Sequence, residues 1–322
     1  MKYAVILGNL GNTRDRFLSS GYKEERPMEE MFRQAVSIPG VKGIELVGTW
    51  DISASNVKAV GRLLRDSGTR LVSIIPEHFS QKIWGKGAFT SRDPAVRRQA
   101  VAHSREMVDI LLELGGELIN LWPGQDGYDY ILQGNFDEAY QWLVEGIREV
   151  ADYKPEVRIA LEFKPKEPRN FSYMARSADT LLTALETGRK NVGVTMDTGH
   201  AFVGGENLAE AAFRLLKAGK LFHLHFNDNH QGWDDDMIVG SVHTLQYIEL
   251  FFWLRRMGYD GWWSMDQYPY REDGREALAQ SIAWIDALAA KLDAYGLEAL
   301  EKLMRQGEAT AITRELRRLL LG

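Results

Sequence analysis

The chain contains no cysteine, which excludes disulfides and thiolate-bound metals. It has no surplus of positive charge. Lys and Arg number 39 against 45 Asp and Glu, the formal net charge is −6, and basic residues form no block. Phosphate backbones are recognised by basic surfaces, so nucleic acid is not expected as a partner. No apolar run approaches the length that spans a bilayer, so no membrane partner is expected either. The opening MKYAVILGNLGN turns polar before the apolar core of an export signal is complete. These absences lead to the expectation of a cytoplasmic protein.

What is present is a chain of 322 residues, 45% of them apolar, which suffices for one large core. Short apolar, β-branched runs bounded by Gly, Pro, Asn or Asp fall at residues 3–9, 43–48, 70–76, 118–122, 158–163, 192–197, 221–226 and 261–265. Helical patterns follow at 27–40, 56–67, 91–114, 136–153, 177–187, 206–218, 243–257 and 274–292. Regular alternation of this kind predicts a parallel sheet. Eight units without a Gly-rich dinucleotide turn favour a closed barrel over an open doubly wound sheet. The expected fold is α/β: a single (β/α)8 TIM barrel over residues 1–292. A C-terminal helical extension over 293–322 serves packing or oligomer contact.

Barrel enzymes carry their chemistry at the C-terminal ends of the strands. Reading those ends gives Glu162 on the fifth strand, Asp197 and His200 on the sixth, His225 on the seventh and Asp266 on the eighth, with Asp234 and Asp236 in the loop that follows the seventh. Taken singly, each has an ordinary explanation. A strand-end Asp caps helices, a lone His is commonly a satisfied core residue, and a DDD run is usually a solvated turn. Their joint placement on four consecutive strands is what points to a metal site. Oxygen donors with a minority of imidazole suit Mn2+, Mg2+ or Co2+. Seven candidates exceed one octahedral shell, so two divalent cations with a bridging carboxylate fit better. Lys164 would be a poor neighbour for a cation on stability grounds alone; it makes sense as a donor to a polar substrate. His223 shares the inward phase of His225 and reads as core. Trp122 and Trp84 are the candidate pocket walls, and His78 lies in the loop after the third strand.

These stretches resemble the metal-dependent xylose isomerases within the wider group of xylose isomerase-like barrels. Ala160 to Arg169 (ALEFKPKEPR) is similar to that family's E-P-K-P-N-E-P-R segment. It carries over Glu162 as a metal carboxylate and Lys164 as the catalytic lysine. Asp197-Thr-Gly-His200 resembles E-x-G-H, and Asp234-Asp-Asp236 resembles the D-x-D pair of the second metal. Asp266 in SMDQY matches the last-strand ligand. Trp122-Pro-Gly-Gln-Asp-Gly is similar to W-G-G-R-E-G, and Arg14-Asp-Arg-Phe17 to an R-D-P-F tip that enters a neighbouring subunit's pocket. Two departures stand out. Val47 occupies the place of the ring-opening His, for which His78 is the candidate substitute. The Glu162–Asp197–His225–Asp266 set is closer to the rhamnose isomerase branch.

The resemblance implies an aldose–ketose isomerase that acts on a free sugar by a 1,2-hydride shift. Glu162, Asp197, His225 and Asp266 would hold the first cation. Asp197, His200, Asp234 and Asp236 would hold the second, and Lys164, Glu162 and Asp236 would serve catalysis. Trp122, His78, Trp84, Phe17 and His200 would meet the substrate, and the protein is expected as a homodimer or homotetramer. The alternative is a one-metal ketose 3-epimerase of the same barrel superfamily. An endonuclease IV-like enzyme and a non-catalytic sugar-binding barrel are further rivals.

Overall fold

A computed structural model describes residues 1–321. Eight parallel strands close into a barrel: β1 (Lys2–Ile6), β2 (Val41–Val47), β3 (Arg70–Ile75), β4 (Leu118–Leu121), β5 (Arg158–Glu162), β6 (Val192–Asp197), β7 (Leu221–Phe226) and β8 (Trp262–Met265). Each pairs with its sequence neighbours, and β1 also pairs with β8 through Tyr3↔Trp263 and Val5↔Met265. The eight-strand barrel expected from the sequence is therefore the observed fold.

Around it run α1 (Met28–Ser37), α2 (Val57–Ser67), α3 (Pro94–Glu113), α4 (Phe136–Tyr153), α5 (Ser177–Glu186), the short α6 (Thr198–Val203), α7 (Leu208–Lys217), α8 (Thr244–Arg256) and α9 (Gly274–Tyr295). Local chemistry sets their starts. Asp93 accepts from the Ala95 N–H at 2.8 Å with Pro94 in the first turn, and Asp273 accepts from Glu276 at 2.9 Å. The helix expected over 274–292 continues to Tyr295 before Gly296 stops it. Then α10 (Leu297–Gln306) and α11 (Ala309–Leu321) fold back on α9, where Lys291 Nζ donates to the carbonyls of Leu319 and Leu320 at 3.0 and 3.1 Å. Among the described residues no helix is long and apolar enough to cross a membrane.

The period of two along each strand sorts the side chains. Leu224 and Phe226 of β7 face outward, and Phe226 stacks on Trp263 of β8 at 4.9 Å and 6°. His223 and His225 then face into the barrel. Thr195 and Asp197 on β6 share that inward phase, paired with His223 and His225 respectively. The barrel interior is unusually polar. Glu45, Ser73, Asn120, Thr195, His223 and Ser264 are all buried there, where branched apolar layers are the rule.

Candidate metal centre

At the C-terminal mouth, one oxygen or nitrogen each from Glu162, Asp197, His225 and Asp266 lies within 4.8 Å of all the others. A second set, Asp197, His200 and Asp234, meets the same test and shares Asp197 with the first. Register explains the convergence. Asp197 pairs with His225, and His225 with Ser264, two residues before Asp266.

Asp197 does two jobs at once. Its Oδ1 caps α6 by accepting from the His200 N–H at 2.8 Å, which turns the His200 ring back over the strand ends. Its Oδ2 accepts from Asn227 Nδ2 at 2.9 Å. Gly199 makes room for that amide, because a Cβ there would lie 1.8 Å from Asn227 Oδ1. Glu162 Oε2 accepts from Asn120 Nδ2 at 2.7 Å, and Thr195 Oγ1 in turn donates to Asn120 Oδ1 at 2.6 Å.

Six carboxylates, those of Glu45, Glu162, Asp197, Asp234, Asp236 and Asp266, crowd against His200, His223, His225 and Lys164. The surplus of negative charge shows in the titration of the group. Burial, then Asp234, Asp266 and Glu162, push the Asp197 carboxyl up to about 7, with His200 opposing. Burial also raises Asp236 well above the carboxylate range, helped by Asp234 and Asp266. For His200, burial disfavours charge, yet Asp197 and Asp234 raise it to about 9. Burial likewise opposes charge on His225, but Glu162 and Glu45 hold it well above the ordinary histidine value. His225 Nδ1 lies 3.2 Å from both Glu162 Oε1 and Asp266 Oδ2. His200 Nδ1 and Asp234 Oδ1 are buried without a hydrogen-bond partner among the described residues. Converging acceptors, two unpartnered ligand atoms and excess negative charge together fit a hard divalent cation.

Lys164 Nζ lies 2.8 Å from Asp234 Oδ2 and 2.9 Å from Glu167 Oε2. Burial would lower its pKa, but Asp234, Glu167 and Asp236 hold it well above the lysine range, so it stays an ammonium. It sits 5.2 Å from the Trp122 ring centroid. Trp122, Phe79, Trp50 and Val47 line a cleft of about 860 Å3, with Glu162, Lys164, His200, Asp234, Asp236 and Asp266 at its floor.

The structure departs from the sequence reading in several places. His78 is not in the cleft. It is fully buried behind the barrel wall, its Nε2 on the Ala100 carbonyl of α3 at 3.2 Å, because Ser73 and Ile75 take the inward phase of β3. Trp84 is buried beside it, 5.3 Å from His78 between ring centroids, and lines no part of the cleft. Phe79, one residue beyond His78, is the wall instead, 4.7 Å from Trp122. Phe17 is 78% exposed and lines no part of the cleft of its own chain. Asp236 belongs to neither converging set. Glu45, Asn120 and Asn227 were missed. The signal for Glu45 was a charged residue in the inward phase of a buried strand, GIELV, where an acid is rarely left without a partner.

Comparison with known proteins bears on the family and the fold. Residues 32–288 match the family described as xylose isomerase-like TIM barrel. Xylose isomerase of Thermus thermophilus is 31% identical over 228 residues, 69% of this chain and 59% of the relative. The chain thus spans little more than half the length of that relative. Among solved structures, a D-tagatose 3-epimerase-like protein matches at TM-score 0.66 and 22% identity, over 89% of this chain and 98% of that one. A 3-keto-D-glucoside 4-epimerase from E. coli matches at TM-score 0.69 and 20% identity, over 89% and 99%. At those identities the structural likeness shows the fold alone.

Proposed function

The chain belongs to the xylose isomerase-like TIM barrel family, and from that premise we propose that it is a metal-dependent isomerase interconverting the aldose and ketose forms of a free sugar. The observation that carries this reading is Asp197 shared between two donor sets at the barrel mouth. Glu162, Asp197, His225 and Asp266 would hold one divalent cation. Asp197, His200 and Asp234, with Asp236 beside them, would hold another. Mn2+, Mg2+ or Co2+ in those places supplies Lewis-acid polarisation of neighbouring sugar oxygens.

The chain's own groups do the rest. Trp122 and Phe79 offer apolar faces to the sugar ring and keep water from it. The Lys164 ammonium cannot serve as a base, so it acts as a hydrogen-bond donor to an oxygen that gains negative charge. Asp236, which lines the cleft beside the second set, is placed to relay a proton between neighbouring hydroxyls. Arg14 and Arg26 line the cleft but are already paired with Glu25 and Glu30, at 3.7 and 3.6 Å, which favours a neutral sugar over a phosphorylated one. A cytoplasmic homo-oligomer, with Phe17 entering a partner's cleft and the helices after the barrel adding contact, belongs to the same reading.

A second reading, the one-cation ketose 3-epimerase, is favoured by one observation. The Lys164 ammonium already neutralises Asp234 Oδ2. The test is a panel of aldopentoses, aldohexoses, deoxysugars and the corresponding ketoses with MnCl2 in D2O, on wild type and Asp234→Asn. The isomerase reading expects ketose without solvent deuterium on carbon, and loss of turnover in the variant. Deuterium at the substrate carbon favours the epimerase. Undiminished turnover in Asp234→Asn removes the second cation from the scheme.

A further inference from the structure

Each buried donor of the first set rests on a partner behind it, and the partners differ in kind. Glu162 and Asp197 are carboxylates, and each is held by a neutral amide, Asn120 and Asn227. His225 is an imidazole, and it is backed by a carboxylate. Its Nε2 lies 3.3 Å from Glu45 Oε2, on the ring edge opposite the nitrogen that faces Glu162 and Asp266. Glu45 is fully buried inside the barrel. His223 Nε2 meets its Oε1 at 2.9 Å, and Ser73 Oγ donates to its Oε2.

A charged side chain in that interior has no value as packing, since an apolar residue of similar volume would fill the space without desolvation cost. What Glu45 can do is accept the Nε2 proton of His225. That fixes the tautomer and the ring plane, and leaves the Nδ1 lone pair directed at Glu162, Asp197 and Asp266. We propose that Glu45 is the positioning residue of the first cation site. It holds His225 as an Nε2–H imidazole with Nδ1 presented as the ligand, and His223 and Ser73 lock Glu45 in place. The inference rests on the metal reading of the mouth, not on the reaction assigned to it. It also decides between two uses of His225, because Glu45, His223 and His225 themselves converge closely enough to hold a cation on the other nitrogen.

The experiment uses metal-stripped full-length protein titrated with MnCl2 by calorimetry, for wild type, Glu45→Gln and Ser73→Ala, with melting curves of the stripped forms. Gln keeps the volume and one acceptor but not the charge. Glu45→Gln is expected to weaken one Mn2+ binding step by about 10–100-fold while the stripped protein melts close to wild type. Ser73→Ala, which leaves the charge in place, is expected to weaken the same step by less; it serves where Glu45→Gln does not fold. With Mg2+ bound and histidine labelled with 15N, His225 is expected to carry its proton on Nε2. Wild-type affinity in both variants overturns the proposal while leaving the metal site standing. A proton on Nδ1 overturns it by moving the cation into the Glu45–His223–His225 set. Failure of wild type to bind Mn2+ overturns the metal reading and this inference with it.

Discussion

His78 and His225 are both fully buried, in one chain and at similar depth, yet their surroundings drive them in opposite directions. His78 lies among Trp84, Phe89 and His103, with ring centroids 5.2–5.4 Å away and one carbonyl for company. Burial, reinforced by His103, pushes its pKa down to about 3. His225 lies among Glu45, Glu162 and Asp266 and is pushed up despite the same burial. Burial therefore says little about what a histidine does; the charges it faces decide. One ring is a neutral packing piece with a polar edge. The other is a base poised for a cation.

The comparison can be broken most severely at His225. His225→Gln is expected to abolish binding at the first cation site and activity with it, exceeding the about 10–100-fold that a supporting partner is worth. His78→Gln is expected to leave Mn2+ affinity unchanged. Calorimetric titration of both variants checks this.

The next effect is on acid stability. His78 is neutral in the folded chain down to about pH 3 but ionises near pH 6.5 when unfolded. The unfolded state thus binds the extra proton between those values. The contribution is complete above pH 6.5 and is lost as pH falls toward 3, on the order of 5 kcal/mol in all. Urea unfolding across that range should show a shallower pH slope for His78→Gln than for wild type.

Loading the mouth is expected to help less. At a free Mn2+ concentration about a hundredfold above Kd, stability rises by about 2.7 kcal/mol. Chelator-stripped protein should melt several degrees lower and recover on adding the ion. Gly199→Ala should cost about 1–3 kcal/mol, because the new methyl displaces Asn227 from Asp197; melting and Mn2+ titration together would show both losses. The smallest effect belongs to His103. Its side chain is largely buried, but its ion-pair partner Glu106, 3.8 Å away, is half-exposed, and His103→Gln, which nearly keeps the volume, should change stability by about 1 kcal/mol.

The barrel was legible because strand and helix periods alternate eight times and turn residues punctuate them. The donor set was legible for a related reason. Strand ends of a parallel barrel all open on one face, so acids and histidines at the ends of β5 to β8 had to meet. The loop after β3 was not legible. Whether His78 or Phe79 faces the cleft depends on how Glu77 winds the turn, accepting from Phe79 N at 2.9 Å and from Gln81 Nε2 at 2.7 Å, and neighbouring residues in an irregular loop carry no period. Glu45 was missed for a different reason. It lies inside the barrel rather than at its mouth, and only the fold brings strand β2 opposite His223 and His225.

Asp266 stands apart from its three companions. Glu162, Asp197 and His225 are walled in, whereas the Asp266 side chain keeps 29% of its surface open to the cleft. On the proposed metal reading, an ion arriving from solvent would meet Asp266 first, before the fixed donors below, and would leave it last. Exchange of the ion would then be governed at the rim, and its residence time could be tuned at this more accessible side chain without disturbing the donors that set its place.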